Sequence, residues 1–212
     1  MKVRLTTRIK VWLEDAVTPR RLTTFLLKSS GLYHIGLRNA LDIKIVEHTV
    51  RFANLPPAFD GYRLMMISDL HIDNTIDILG GILHATYEQE ADALVLVGDY
   101  RYLPHGDHAP AVEKMELLLE KMEAPDGIYG VRGNHDNMEI AHAMEAAGAR
   151  MLYNEAVELR RGDERIFLIG IDDPHYYHMD DIPHATRNVP PDAFSIALVH
   201  TPERYKRAAV HH

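Results

Sequence analysis

Cysteine is absent from this 212-residue chain. That excludes a disulfide-stapled scaffold and any thiolate metal site, while leaving the compartment undecided. A metal centre here must be built from oxygen and imidazole ligands, which suit borderline divalent cations such as Mn, Fe or Zn. No apolar run approaches the roughly 20 residues that a membrane-spanning helix needs. The basic start is not followed by an uninterrupted apolar core of about 7–15 residues and a small-residue cleavage site, so no secretory signal is read. Internal repeats and low-complexity tracts are missing too. What remains is a globular composition, 46% apolar and 25% charged, enough for one large domain or a domain with an extension.

Positive charge is scarce except at the start. Residues 1–38 hold Lys2, Arg4, Arg8, Lys10, Arg20, Arg21, Lys28 and Arg38 against Glu14 and Asp15, a net +6; the whole chain is −8, so residues 39–212 carry −14. A basic arm on an acidic body points to an anionic surface as the arm's partner. The body lacks the basic footprint of a broad nucleic-acid binder. Thr18-Pro19 is a helix start, with Leu22, Phe25 and Leu26 at helical spacing and Gly31 as the stop. Two readings follow. In one, the helix lies on an anionic membrane, where each basic side chain near the surface contributes about 1 kcal/mol. In the other, it packs on the domain with its charges in water. The expected organisation is a basic helical extension at residues 1–38 and a main domain at 39–212, located in the cytoplasm and peripheral on the inner face of the membrane.

Four apolar, strand-like runs each end in metal-binding side chains. Arg63–Ser68 delivers Asp69 and His71, Ala93–Val97 delivers Gly98-Asp99, Ile128–Arg132 delivers Gly133-Asn134-His135-Asp136, and Phe194–Val199 delivers His200. Open α/β sheets collect ligands beyond the carboxyl ends of their strands, so residues distant in sequence become neighbours. A phosphate ester is anionic and is approached poorly by hydroxide. Two cations about 3.5–4 Å apart generate hydroxide at neutral pH and clamp the attacking and leaving oxygens. Such a pair needs an anionic bridge, and Asp99 is the best candidate. Asp69 and His71 then complete one metal, and Asn134 and His200 help complete the other. Gly98 and Gly133 supply sharp turns without a Cβ.

The remaining pattern is alternating strand and helix followed by a strand-rich half. Ile43–Phe52 is expected as a first strand, Thr75–Gln89 as a helix weakened by Gly80-Gly81, Ala111–Met122 as a helix burying Met115, Leu118, Leu119 and Met122, and Glu139–Ala147 as a short helix. Glu155–Arg160 and Arg165–Gly170 form a hairpin with Gly162 in its turn, and Pro202 opens a last helix. These elements suggest a sheet-on-sheet core with helices outside.

The segments ISDLHID, VLVGDY, GVRGNHD and ALVHTPE, in that order, resemble the motifs of the calcineurin-like metallophosphoesterase superfamily, in particular its bacterial branch of membrane-linked phosphodiesterases and pyrophosphatases. The resemblance implies an α/β fold of two packed, mainly mixed β-sheets flanked by helices, a four-layer α-β-β-α sandwich. It implies two divalent ions, with Asp69 and His71 on the first, Asp99 bridging, and Asn134 and His200 on the second. His135 is implied to be no ligand but to steady the phosphoryl group or protonate the leaving oxygen, a role that suits an imidazole. Asp136 is implied to orient a neighbour. The implied substrate is a phosphodiester or pyrophosphate, lipid-linked in the membrane branch.

The family pattern closes with G-H-x-H, whose histidines complete the two metals. No such motif follows His200, and the chain ends Ala209-Val210-His211-His212. The sequence is therefore expected to be cut short at its C-terminus. Two functions stand open: a hydrolase using a hydroxide bridged between two metals, or a catalytically impaired, membrane-associated phosphate-binding module lacking the last ligands. A Ser/Thr protein phosphatase is disfavoured, because that subfamily continues V-D-R-G where this chain reads Arg101-Tyr102-Leu103-Pro104; a nuclease stays open. Arg101 and Arg132 are expected either to pair with phosphate as planar donors or to neutralise nearby carboxylates. The loop Asp172–His178 either lines a substrate pocket with Tyr176 and Tyr177 or is merely solvated. His105–His108 is expected to be a polar surface loop.

Overall fold

The computed structural model describes residues 17–74, 76–202 and 206. The expectations for residues 1–16, for the helix opened by Pro202 and for His211-His212 lie outside that range, as do the side chains of the Thr18-Pro19 cap. The described residues fall into two compact units, one holding 17–46 and 76–88, the other 47–74 and 89 onward. The first unit thus extends beyond residue 38 and takes in a second piece of chain.

In the first unit α1 spans Val17–Ser29, α2 spans Tyr33–Leu41 and α3 spans Leu79–Thr86. Gly31 turns the chain between α1 and α2 at φ +74°, the left-handed geometry that glycine adopts without a Cβ penalty. The helix expected over Thr75–Gln89 is shorter at both ends, and its glycine pair has a partial explanation in packing. A Cβ added at Gly81 would lie 3.0 Å from Ile43 Cδ1, a close approach that the Ile43 side chain would have to relieve by a few tenths of an ångström. The strand expected at Ile43–Phe52 does not form. Val46 and Val50 remain about 70% and 71% exposed, and Phe52 sets its ring 5.2 Å from that of Phe194. Apolar alternation cannot make a strand without a ladder to join.

The second unit contains seven strands: β1 Leu64–Ile67, β2 Ala93–Val97, β3 Ile128–Val131, β4 Arg150–Met151, β5 Glu155–Arg161, β6 Glu164–Gly170 and β7 Ser195–Leu198. A short turn of 3-10 helix, Pro57–Phe59, precedes β1. Between the strands lie α4 Ala109–Glu120, α5 Met138–Ala146 and α6 Ile182–Thr186. One sheet has the order β1-β2-β3-β4, with every pair parallel. The other has the order β5-β6-β7, an antiparallel hairpin joined by a parallel strand. The fold is therefore α/β with two sheets flanked by helices, as expected, although only the second sheet is mixed. Helical crossovers force the first sheet to be parallel.

The two sheets share one core. Val95, Val97 and Val131 from the first sheet pack with Val157, Leu159, Ile166, Leu168 and Leu198 from the second. The opposite face of β6 places Phe167 and Ile169 against Ile182 and Ala185 of α6. On α4 the buried positions Met115, Leu118 and Leu119 form the expected inward stripe, without Met122, and α5 buries Ile140 and Met144. The five-residue α6 and two-residue β4 were not anticipated, because neither is long enough to carry a periodicity. Asp181 nevertheless caps α6 by accepting the His184 N–H at 3.0 Å.

At the amino ends of β1 and β2, Arg161, the last residue of β5, donates to the Asp92 carboxylate, and Asp92 also accepts the Arg63 N–H at 2.6 Å. The Arg161 guanidinium lies 4.6 Å from the Tyr62 ring. This cluster ties the two sheets together at the end away from the ligand loops.

Gly170, the last residue of β6, tests how tightly the layers meet. A Cβ there would fall 2.1 Å from Leu152 Cβ. Gly170→Ala is expected to cost about 1–3 kcal/mol through overpacking, read as a lower urea midpoint at unchanged slope; an unchanged midpoint would show the contact to be slack.

Candidate metal centre

The ligand loops leave the carboxyl ends of β1, β2 and β3, which are neighbours in register, and of β7 in the facing sheet. Backbone hydrogen bonds continue the ladder past the strands. Asp69 N–H donates to Gly98 O at 3.0 Å, His71 N–H to Asp99 O at 3.0 Å, and Ile72 N–H to Tyr100 O at 2.9 Å. The loops after β2 and β3 touch backbone to backbone. A Cβ on Gly98 would meet Gly133 N at 2.6 Å and His200 Nδ1 at 2.8 Å, and a Cβ on Gly133 would meet Asp99 Oδ1 at 2.1 Å. Glycine is required at both places by this approach.

Three candidate ligands hold left-handed backbone: Asp69 at φ 54°, His71 at φ 40° and Asp99 at φ 57°. Such conformations cost non-glycine residues about 1 kcal/mol or more each and gather at functional sites. Here they aim side chains that a relaxed strand end would send elsewhere.

The imidazoles share one polarity. His71 Nδ1 donates to Arg101 O at 2.8 Å, His135 Nδ1 to Tyr102 O at 2.6 Å, and His200 Nδ1 to Val97 O at 2.8 Å. A carbonyl only accepts, so each Nδ1 carries the proton and each Nε2 presents a lone pair in the neutral ring. All three Nε2 atoms face Asp99, from His200 at 3.4 Å to Oδ1 and from His71 and His135 at 3.7 and 3.9 Å to Oδ2. Backbone carbonyls behind the far nitrogen are a usual way of orienting metal-binding histidines.

Two groups of donor atoms result, each within 4.8 Å of one another: His71, Asp99 and His135, and Asp69, Asp99 and His200. Asp99 belongs to both, the position that a bridging ligand needs. The donor set of carboxylate and imidazole fits borderline divalent cations. His135, expected to stand apart from the ligands, lies with His71, and Asp69 lies with His200. Asn134 sits half-buried between Gly133 and His135 in the same loop. Ser68, which the sequence did not single out, donates from its hydroxyl to Asp69 Oδ2 at 2.6 Å.

Asp136 is fully buried and faces backbone. Its carboxylate accepts the N–H groups of Asp99 at 2.7 Å, Gly133 at 2.8 Å and Tyr100 at 2.9 Å. It therefore orients its neighbours, holding the loops after β2 and β3 as one piece. Burial and then the charge of Asp99 push its pKa up to about 6, against the pull of those N–H donors. Burial opposes ionisation of Asp99 as well, but the hydrogen bond and charge of His200 hold its carboxyl below the ordinary value. For His200 burial acts downward, and the hydrogen bond and charge of Asp99 outweigh it, raising the pKa to about 9.

The residues expected to touch substrate divide differently. Arg101 is fully buried, and its Nη2 donates to the carbonyls of His105 at 3.1 Å and Gly106 at 3.3 Å. Its guanidinium holds that loop rather than presenting a planar face to phosphate. Arg132 takes the neutralising alternative, with Nε at 3.0 Å and Nη2 at 2.5 Å from the two oxygens of Asp172. The pair is buried, and the guanidinium stands 5.0 Å from the Tyr177 ring. Asp173, also buried, accepts the N–H groups of His175, Tyr176 and Tyr177 and shapes the Asp172–His178 loop. Tyr176 is buried, and Tyr177 is half-buried beside Arg132. The His105–His108 segment is a polar loop, exposed at His105–Asp107, and Asp107 accepts the Ala109 N–H at the start of α4.

Comparison with known proteins agrees with this geometry. Residues 62–212 match the calcineurin-like phosphoesterase family, well over half of the chain, and the chain belongs to that family of metal-dependent phosphoester hydrolases. It is 28% identical over 143 residues to the uncharacterized metallophosphoesterase YkoQ of Bacillus subtilis, covering 64% of this chain and 52% of that protein. It is 28% identical over 169 residues to YkuE of the same organism, covering 76% and 58%. A Danio rerio protein described as a transmembrane protein with metallophosphoesterase domain is 28% identical over 218 residues, covering 92% of this chain and 48% of its own length. The chain thus spans about half the length of these relatives. Among the described residues no helix is long and apolar enough to cross a membrane.

The His200–Asp99 pair sets a pH response. With His200 raised from 6.5 to about 9 in the folded chain, the pair's stabilisation is fully present below about pH 6.5 and is lost as pH rises through about 9. Cation binding needs the deprotonated ring, so affinity changes in the opposite sense. Chelator-treated protein is expected to melt lower at pH 9.5 than at pH 6.5 while binding Mn more tightly, and His200→Gln flattens both trends. Parallel curves for the variant and the parent chain would remove His200 from the site.

Proposed function

We propose that this chain hydrolyses the P–O bond of a phosphodiester or pyrophosphate, with Asp69, His71, Asp99, Asn134 and His200 holding two divalent cations. The observation that carries the proposal is the place of one buried carboxylate, Asp99, in both ligand groups. A bound pair of such cations lowers the pKa of water and polarises the phosphoryl oxygens. The chain's own residues do the rest. Asp136 keeps the two carrier loops in register through its backbone hydrogen bonds, so the ligands are preorganised before substrate arrives. His135 keeps Nδ1–H on Tyr102 O. In its imidazolium form it also carries a proton on Nε2, which it gives to the leaving oxygen as the P–O bond breaks.

A lipid-linked diester or pyrophosphate suits a protein whose first unit exposes apolar helices. Relatives from Danio rerio and Bos taurus are described as transmembrane proteins, which supports the same choice.

The test is hydrolysis of bis(4-nitrophenyl) phosphate with added Mn. Asp99→Asn is expected to lose at least about 10²–10³-fold in kcat, the scale seen when one charge-stabilising group is removed. His135→Gln is expected to lose roughly 10²–10⁴-fold in kcat with its metal content unchanged by elemental analysis. Equal rates for Asp99→Asn and the parent chain would end the proposal, and loss of metal from His135→Gln would make His135 a ligand instead of a proton donor.

A further inference from the structure

Two helices of the first unit display a surface that phosphoester chemistry does not use. On α1, Leu22, Phe25 and Leu26 are 56%, 65% and 56% exposed, and their i, i+3, i+4 spacing puts them on one face. Leu32 just before α2, and Ile35 and Leu41 within it, are exposed as well, and α2 has no buried residue. An amphipathic helix belonging to a domain turns this stripe toward the core. In these helices the stripe is exposed.

The charge beside the stripe identifies what covers it. Residues 17–46 contain Arg20, Arg21, Lys28, Arg38 and Lys44 against a single acid, Asp42. Asp42 is already paired with Lys44 at 2.9 Å. Lys28 Nζ lies 5.0 Å from the centre of the Tyr33 ring, which places its charge at the junction of α1 and α2. A second copy of the chain would bring the same positive charge and be repelled. An anionic bilayer meets both demands, since its headgroups attract cations and its acyl boundary accepts large apolar side chains. At 13 and 9 residues, α1 and α2 are too short to span about 30 Å of hydrocarbon; they suit the plane of the interface.

We propose that α1 and α2 seat this protein on an anionic membrane surface, with Leu22, Phe25, Leu26 and Ile35 entering the acyl boundary and Lys28 and Arg38 at the lipid phosphates. This surface lies outside the candidate metal centre, and its use does not depend on hydrolysis.

The experiment is flotation of the whole chain with vesicles of phosphatidylcholine alone and of phosphatidylcholine mixed with phosphatidylglycerol. The chain is expected to float with the mixed vesicles, and to be released near 1 M salt, where the screening length falls to about 3 Å. Lys28→Gln and Arg38→Gln are expected to weaken partitioning roughly fivefold each. Phe25→Ser with Leu26→Ser weakens it further, while circular dichroism and hydrolysis of a water-soluble diester stay unchanged. Three results would overturn the proposal: no flotation with either vesicle, equal flotation with both, or a concentration-dependent dimer in sedimentation that Phe25→Ser dissolves while vesicles are ignored. Because flotation is read without turnover, an inactive chain that floats and an active chain that does not are separable outcomes.

Discussion

The turn after β2 and the turn after β3 run so close that neither Gly98 nor Gly133 has room for a methyl group. That contact brings Asp99 to the point where the two strands flanking β2 and one strand of the facing sheet deliver their imidazoles. Once the two turns touch, the N–H groups of Asp99, Tyr100 and Gly133 all point at one spot, and Asp136 fills it with a carboxylate. A buried charge is tolerated there because backbone donors satisfy it. The centre is therefore an outcome of backbone proximity first and of ligand identity second.

The polarity of the histidines follows from the same arrangement. Their far nitrogens are bonded to main-chain oxygens of Val97, Arg101 and Tyr102, all in or just after β2. A single strand and its loop thus supply the central carboxylate and orient all three rings. The Arg101 guanidinium, in turn, holds the carbonyls farther along that loop. Groups behind the candidate ligands in this way determine where the ligand atoms are held.

Much of this was legible in the sequence, for identifiable reasons. Asp69, His71, Asp99, Asn134, His135 and His200 stood out because each follows an apolar run of strand length, and the strands formed close to where the runs lie. The hairpin of β5 and β6 was announced by Gly162 between two alternating segments. What escaped was whatever depends on the main chain or on a partner. The carbonyl acceptors have no residue-type signature. The bond of Arg132 to Asp172 links positions forty apart, and the sequence offered phosphate and carboxylate as equal partners for either arginine. The segment Ile43–Phe52 had strand composition but no edge to join. Burial of Arg101 ran against its residue type, since only the loop carbonyls make the position tolerable.

The two-piece make-up of the first unit bears on how this protein can be cut. Residues 76–88 leave the second unit shortly after the Asp69–His71 loop and return before β2, yet they belong with the helices at 17–46. Shortening the chain to residue 47 therefore removes only one of the two pieces of the first unit. It leaves α3, which follows the Asp69–His71 loop in the chain, without the Ile43 side chain that lies beside Gly81.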